Sequence, residues 1–253
     1  MDSLKAFISH TLGESAQLEL AGSTAWDVET RYSDLDVVIR VEHSDTKNVL
    51  QAISTGLRQL REHTHDYPPS HPFFVLKDCE LQLVESAKVP IISIRAVSLT
   101  VVCDLSVNTE NSIRHTEFFG EVVEKRPHLK SVMRLLKYWV KARRLPAMRD
   151  GGLPSICWTL LTVWNDNFET LDLPPPLDRM AVLHSSVSAS LVSLFRRLCD
   201  RKRLSQTISV TQRCSTEKNG TEVAARILGP QCHGGVWDEL LTIEDPAGKG
   251  GGG

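Results

Sequence analysis

The chain has 253 residues, 41% of them hydrophobic and 24% charged, with a formal net charge of −2. That balance excludes a disordered polyelectrolyte, a membrane-embedded chain and a wholly basic surface, so any nucleic-acid contact must come from local clusters. The length exceeds a typical single domain of roughly 100–200 residues, which predicts one large domain or two closely packed ones.

Apolar residues at helical spacing predict a helix over residues 4–12, ending near Gly13. Residues 17–21 read as a short strand running into Gly22-Ser23, and the apolar run over residues 35–41 reads as a second strand. Val49, Leu50, Ile53, Leu57 and Leu60 mark a helix over residues 47–61, closed by a polar, Pro-rich loop over 63–72. The Val- and Ile-rich segments 73–76, 80–87, 91–97 and 100–104 read as strands. Beyond Asn111 the pattern turns helical, over 113–124, 129–144, 155–168 and 187–203. Pro174-Pro175-Pro176 sets an extended loop, and residues 247–253 are a Gly-rich flexible tail. The expected class is α/β (α+β): an N-terminal helix in 1–17, a mixed-sheet domain over 18–108, and a mostly helical domain over 109–246 that closes a cleft.

Cys79, Cys103, Cys157, Cys199, Cys214 and Cys232 include no C-x-x-C pair, so they read as reduced, mostly buried thiols. No stretch reaches about 18 consecutive apolar residues, and residues 1–5 have no basic segment leading into an apolar run. A cytoplasmic or nuclear location with no membrane contact is expected.

The most informative segment is Gly22-Ser23 followed by Asp34-Leu35-Asp36. In a strand, side chains at i and i+2 share a face, so Asp34 and Asp36 point together while Leu35 and Val37 face the core. Two carboxylates so placed repel one another unless a cation or a shared proton intervenes, and hard oxygen ligands suit Mg²⁺ or Mn²⁺. An edge strand with two solvated acids is the alternative. Gly22 and Ser23 either form a plain turn or let backbone amides and a hydroxyl approach a triphosphate. Asp104 ends another apolar strand; should that strand lie beside the first, three acids converge and can hold two metals about 4 Å apart. Otherwise Asp104 caps a turn.

These residues carry a resemblance. Leu20-Ala21-Gly22-Ser23, Ser33-Asp34-Leu35-Asp36 and Val102-Cys103-Asp104-Leu105-Ser106 resemble the DNA polymerase β nucleotidyltransferase superfamily, and within it the family of poly(A) polymerases and terminal uridylyltransferases. Residues 87–92, Leu136-Lys137-Tyr138-Trp139-Val140-Lys141, Gly152-Leu153-Pro154-Ser155 and Leu241-Thr242-Ile243-Glu244-Asp245-Pro246 resemble further motifs of that family, so the likeness spans residues 18–246. It implies a nucleotidyltransferase palm-like domain with a helical poly(A)-polymerase-associated domain. The implied activity adds AMP or UMP from ATP or UTP to an RNA 3′ end. By the same resemblance Asp34, Asp36 and Asp104 bind the metals and Asp104 helps deprotonate the 3′-hydroxyl. Gly22, Ser23, Lys137 and Lys141 hold the triphosphate, and His115, Ser155 and Asp245 complete the nucleotide site.

Lys130, Arg134, Lys137 and Lys141 recur along one stripe of a helix, with Val132, Leu135, Leu136 and Trp139 forming an apolar stripe beside it. A charged stripe is often only a solvated face. Lys141-Ala142-Arg143-Arg144 and the run Arg196-Arg197 to Arg201-Lys202-Arg203 are candidates for RNA phosphates. The chain departs from the family pattern at Asp27, where a Gly is usual, and at His115, which replaces the ribose-contacting Asn. Ile156 replaces the aromatic that stacks on the base, and the Gly-rich tail follows directly on Asp245-Pro246. A transferase acting on a small molecule and a catalytically silent RNA-binding scaffold are the competing functions.

Overall fold

The computed structural model describes residues 2–42, 45–87, 89–96, 102–146, 150–169, 187–199, 207–208 and 242–243. The chain divides into two compact units, Met1–Glu117 and Phe118–Gly253. The first contains α1 (Asp2–Leu12), β1 (Gln17–Ala21), the four-residue α2 (Gly22–Ala25), β2 (Leu35–Arg40), α3 (Thr46–Glu62), β3 (Cys79–Val84), β4 (Ile91–Ala96) and β5 (Val102–Val107). The helix α4 (Glu110–Lys125) begins in it.

The five strands form one mixed sheet in the order β1-β2-β5-β4-β3, in which β2 and β5 run parallel and the other neighbours antiparallel. Alternation along β2 sends Leu35, Val37 and Ile39 to one face, where they join Ile92, Leu105 and Val107. Phe7 and Ile8 of α1 and Val49, Leu50, Ile53 and Leu57 of α3 complete that core. Full burial of each such aliphatic side chain contributes about 1.5–3 kcal/mol. On the opposite face, Ala21 and Val38 pack with Ile113 of α4. The helix α3 starts at Asp45, whose carboxylate accepts from the Lys47 amide at 3.3 Å.

Parallel neighbours lack a hairpin turn to set their register, so something else must pin it. Asn108, just past β5, does this. Its amide donates to Ile39 O at 3.0 Å, and its side chain exchanges bonds with Val41, Nδ2 donating to the carbonyl at 2.9 Å and Oδ1 accepting from the amide at 3.0 Å. Its φ of 49° lies in the left-handed region that Asn tolerates better than most residues.

In the first unit the structure differs from the sequence expectations. Residues 73–76 form no strand: Phe73 precedes, and residues 74–76 open, a 3₁₀ turn, Phe74–Asp78. Phe73 sets its ring edge-on to Phe7 at 5.9 Å and Leu76 is buried, so contact with the helical layer replaces strand pairing despite the aromatic composition. Asp34 falls one residue before β2. Asp104 lies inside β5, which continues to Val107 because Leu105 and Val107 pair with the buried Val37 and Ile39.

In the second unit, α5 (Leu129–Ala142), α6 (Ser155–Glu169) and α7 (Val187–Leu198) pack against one another, and β6 (Thr207–Ile208) pairs in parallel with β7 (Thr242–Ile243). Trp139 of α5 meets Trp158 of α6 at 6.3 Å and Phe195 of α7 at 4.9 Å between ring centroids. The buried face of α5 is Leu129, Val132, Met133 and Leu136; Leu135, one residue and so about 100° around from Leu136, is 43% exposed. The helix also stops two residues before the expected Arg144, which has a φ of 52°. There Leu145 N donates to Val140 O and Arg144 N to Lys141 O, the Schellman arrangement that closes a helix.

Asp166 of α6, 7% exposed, accepts from Arg126 Nη1 at 3.0 Å and pairs with His128 Nε2 at 2.7 Å. Arg126 also donates to Asn167 at 2.7 Å, so the α4–α5 connection is tied to α6 by charge. Among the described residues no helix is long and apolar enough to cross a membrane. Pro174-Pro175-Pro176, Arg201-Lys202-Arg203, Asp245 and residues 247–253 lie outside the described residues.

Candidate active site

A row of paired residues crosses the sheet on the face opposite α1 and α3. Ala21 pairs with Asp36 across β1 and β2, Asp36 with Asp104 across β2 and β5, and Asp104 with Ser93 across β5 and β4. Directly paired residues project to the same side, so Asp36 and Asp104 stand side by side, flanked by the buried Ser93. Asp34 is exposed at the mouth of β2. It is delivered by a turn in which Ser33 N donates to Thr30 O and Thr30 N donates to Ser33 Oγ, each at 2.9 Å.

Gly22 approaches this pair more closely than any side chain permits. Its φ is +64°, and a Cβ at that position would lie 2.2 Å from Asp36 Oδ2. Its amide donates to Thr116 Oγ1 at 3.1 Å, so its contribution to the site is the room it leaves for the Asp36 carboxylate. Beyond Ser23 the chain turns back with Val28 N on Ser23 O at 3.0 Å, and Asp27 takes a φ of 57°. The departure from Gly at Asp27 therefore keeps a glycine-type backbone, which Asp tolerates. Gly22→Ala is expected to destabilise the chain in urea unfolding by about 1–2 kcal/mol from the left-handed backbone, plus a steric cost against Asp36. Measured against Asp36→Gly, the double variant Gly22→Ala/Asp36→Gly should show the backbone cost alone; an equal loss in either background would remove the steric contact.

The electrostatics of the row suit a cation. Asp104 Oδ1 is buried with no hydrogen-bond partner, an expensive state for a carboxylate oxygen unless a charge compensates it. Burial, then Asp104, then Asp36 push the neighbouring Cys103 thiol up to about 12. Asp36 and Asp104, hard oxygen donors side by side, fit Mg²⁺ or Mn²⁺. Among the described residues no three His, Cys, Asp or Glu side chains are gathered into a group that could hold a metal.

His115 is half-buried on α4, next to Thr116. Lys137 is half-buried and Lys141 exposed on α5, and Ser155 is the exposed first residue of α6, followed by the half-buried Ile156. Thr116 and Ser93 were not expected among the site residues. Both contacts arise from long-range pairing, and local pattern carries no signal for either.

Residues 1–120 match the family model of the central palm domain of mitochondrial-like poly(A) RNA polymerases. The first unit is similar to that palm domain. It is 26% identical over 144 residues to Poly(A) RNA polymerase protein 2 of Saccharomyces cerevisiae, covering 56% of this chain and 22% of that protein. It is also 26% identical over 189 residues to Poly(A) RNA polymerase cid11 of Schizosaccharomyces pombe, covering 74% of this chain and 35% of that one. The chain thus spans between a fifth and about a third of the length of these relatives. Among solved structures, the fold is similar to terminal uridylyl transferase 4 from Trypanosoma brucei with bound GTP, with a TM-score of 0.65 at 16% identity over 85% of this chain and 71% of that one. It is also similar to Cid1 in complex with its short product ApU, with a TM-score of 0.63 at 16% identity over 97% and 76% of the two chains. Asp36 and Asp104 lie within the residues that match the palm-domain model.

Proposed function

We propose that this chain carries the site of a template-independent RNA 3′-terminal nucleotidyltransferase that adds AMP or UMP from ATP or UTP and releases pyrophosphate. The observation that carries the proposal is the in-register pair Asp36 and Asp104 on parallel neighbouring strands, with Asp104 Oδ1 buried and unpartnered. Asp36 and Asp104, with Asp34 at the mouth of β2, hold the catalytic cation. Mg²⁺ or Mn²⁺, in a two-ion arrangement when bound, neutralises triphosphate charge and acidifies the attacking hydroxyl. Asp104 receives the proton of the RNA 3′-hydroxyl as its oxygen bonds the α-phosphorus and the bond to pyrophosphate breaks. Ser23, Lys137 and Lys141 hold the triphosphate, where positioning and charge neutralisation do most of the work. Gly22 leaves room for the Asp36 carboxylate, His115 contacts the ribose, Ser155 lines the nucleotide side and Asp245 reads the base edge.

Ile156, in place of a stacking aromatic, leaves an apolar wall that distinguishes bases poorly. We therefore expect ATP and UTP to be used with kcat/KM values within roughly a hundredfold of each other, and Asp245→Ala to flatten what preference exists. The measurement uses labelled oligo(A), Mg²⁺ or Mn²⁺ and each ribonucleoside triphosphate separately. Extension of the oligonucleotide supports the proposal; consumption of triphosphate only with a small-molecule acceptor reassigns the site, and no turnover with any acceptor leaves a scaffold. A stronger preference for one base requires a recognition element beyond Ile156 and Asp245.

A further inference from the structure

Thr116 bridges two parts of the first unit that are 94 residues apart in sequence. Its hydroxyl donates to Ser112 O at 2.8 Å, one turn back along α4, and accepts from Gly22 N at 3.1 Å. The donated bond fixes the side-chain rotamer, so the free lone pair is aimed before Gly22 arrives. One turn earlier on the same helix, Ile113 packs on Ala21 and Val38. The helix α4 therefore grips the end of β1 at two points, one apolar and one polar. Between those points lie Ala21, paired with Asp36, and Gly22, whose missing Cβ leaves space for Asp36 Oδ2.

We propose that Thr116 is a positioning residue: by holding the Gly22 amide it sets the distance between the Gly22 turn and the Asp36 carboxylate, and so the geometry with which Asp36 meets the catalytic cation. The proposal rests on the reading of Asp36 as a cation ligand. A turn free of α4 would let Gly22 drift while β2 stayed in place, changing the space in which the carboxylate sits without touching either acid. Groups that orient a metal ligand from behind commonly change metal affinity or activity by about 10–100-fold when removed.

The test compares Thr116→Val, which keeps shape and loses the hydroxyl, with Thr116→Ser, which keeps the hydroxyl. The readouts are hydrogen exchange of the Gly22 amide, the carboxyl ¹³C shift of Asp36, affinity for Mn²⁺ alone, and separate kcat and KM values for transfer. Thr116→Val should lose Gly22 protection, move the Asp36 signal, and lower Mn²⁺ affinity and kcat by about tenfold or more, with KM for the triphosphate within about twofold. Thr116→Ser should restore all four. A raised KM with Mn²⁺ affinity and kcat intact overturns the proposal and makes Thr116 a nucleotide contact. An unchanged Gly22 amide and Asp36 signal in Thr116→Val overturns it as well. A wild-type chain that neither binds Mn²⁺ nor transfers nucleotides sinks the functional reading instead, and the two spectroscopic readouts still decide whether Thr116 places Asp36.

Discussion

Asp36→Asn and Asp104→Asn are each expected to reduce kcat by roughly 10²–10³-fold or more while leaving the fold intact. Each change removes a ligand charge at nearly constant volume, and the two acids share one task, so the double variant should be little worse than either single one. The stability of the cation-free chain supplies a second signature. Like charges directly opposite one another in a sheet repel, and Asp36 is paired with Asp104. In EDTA the Asn variants should therefore melt no lower than wild type, whereas added Mn²⁺ should raise the Tm of wild type alone. Both variants retaining more than a tenth of wild-type kcat at saturating Mg²⁺ would dismiss the carboxylate pair as the catalytic centre.

The second large effect is on stability and lies in the helical unit. Asp166→Ala strips the shared partner from Arg126 and His128. We expect a loss of about 3 kcal/mol in urea unfolding, the low end for removing one member of a buried pair, because the Arg126 and His128 side chains each keep 26% exposure to water. The acid limb should change too. Burial alone would raise the Asp166 carboxyl, but the hydrogen bonds and charges of His128 and Arg126 outweigh it and hold the group below its ordinary value of 3.8. The stabilisation from this group is complete above that ordinary value and is lost as the pH falls through the lowered folded one. Asp166→Asn should therefore be the less stable protein at neutral pH, with the gap narrowing under acid. A neutral-pH loss below about 1 kcal/mol for Asp166→Ala would place the cluster among solvated surface pairs.

The parity of β2, with Asp36 on one face and Leu35, Val37 and Ile39 on the other, follows from the pattern of residues alone. So do the limits of β1 and α3 to within a residue, because each is settled by apolar spacing and by chain breakers a few positions away. The acids themselves, and the turn residues Gly22 and Ser23, were legible for the same reason: their chemistry is local. The 3₁₀ turn at Phe74–Asp78 was not, since Phe73 finds its ring partner in Phe7, at the other end of the unit's sequence. Nor was the end of α5, where the left-handed backbone of Arg144 stops a pattern that composition would let run on.

What only the tertiary structure decided is which elements become neighbours. Parallel pairing of β2 with β5 brings Asp36 beside Asp104, and no short-range pattern specifies a partner across α3, β3 and β4. The close approach of Gly22 to Asp36, its bond to Thr116, and the tie of Arg126 and His128 to Asp166 are of the same kind. By itself the sequence determined the local elements and the acids they carry, because helical and strand periodicity sum preferences over adjacent residues. The site required the fold, because long-range contacts form only when whole apolar faces find a mutual fit that covers the entropy of closing the chain between them.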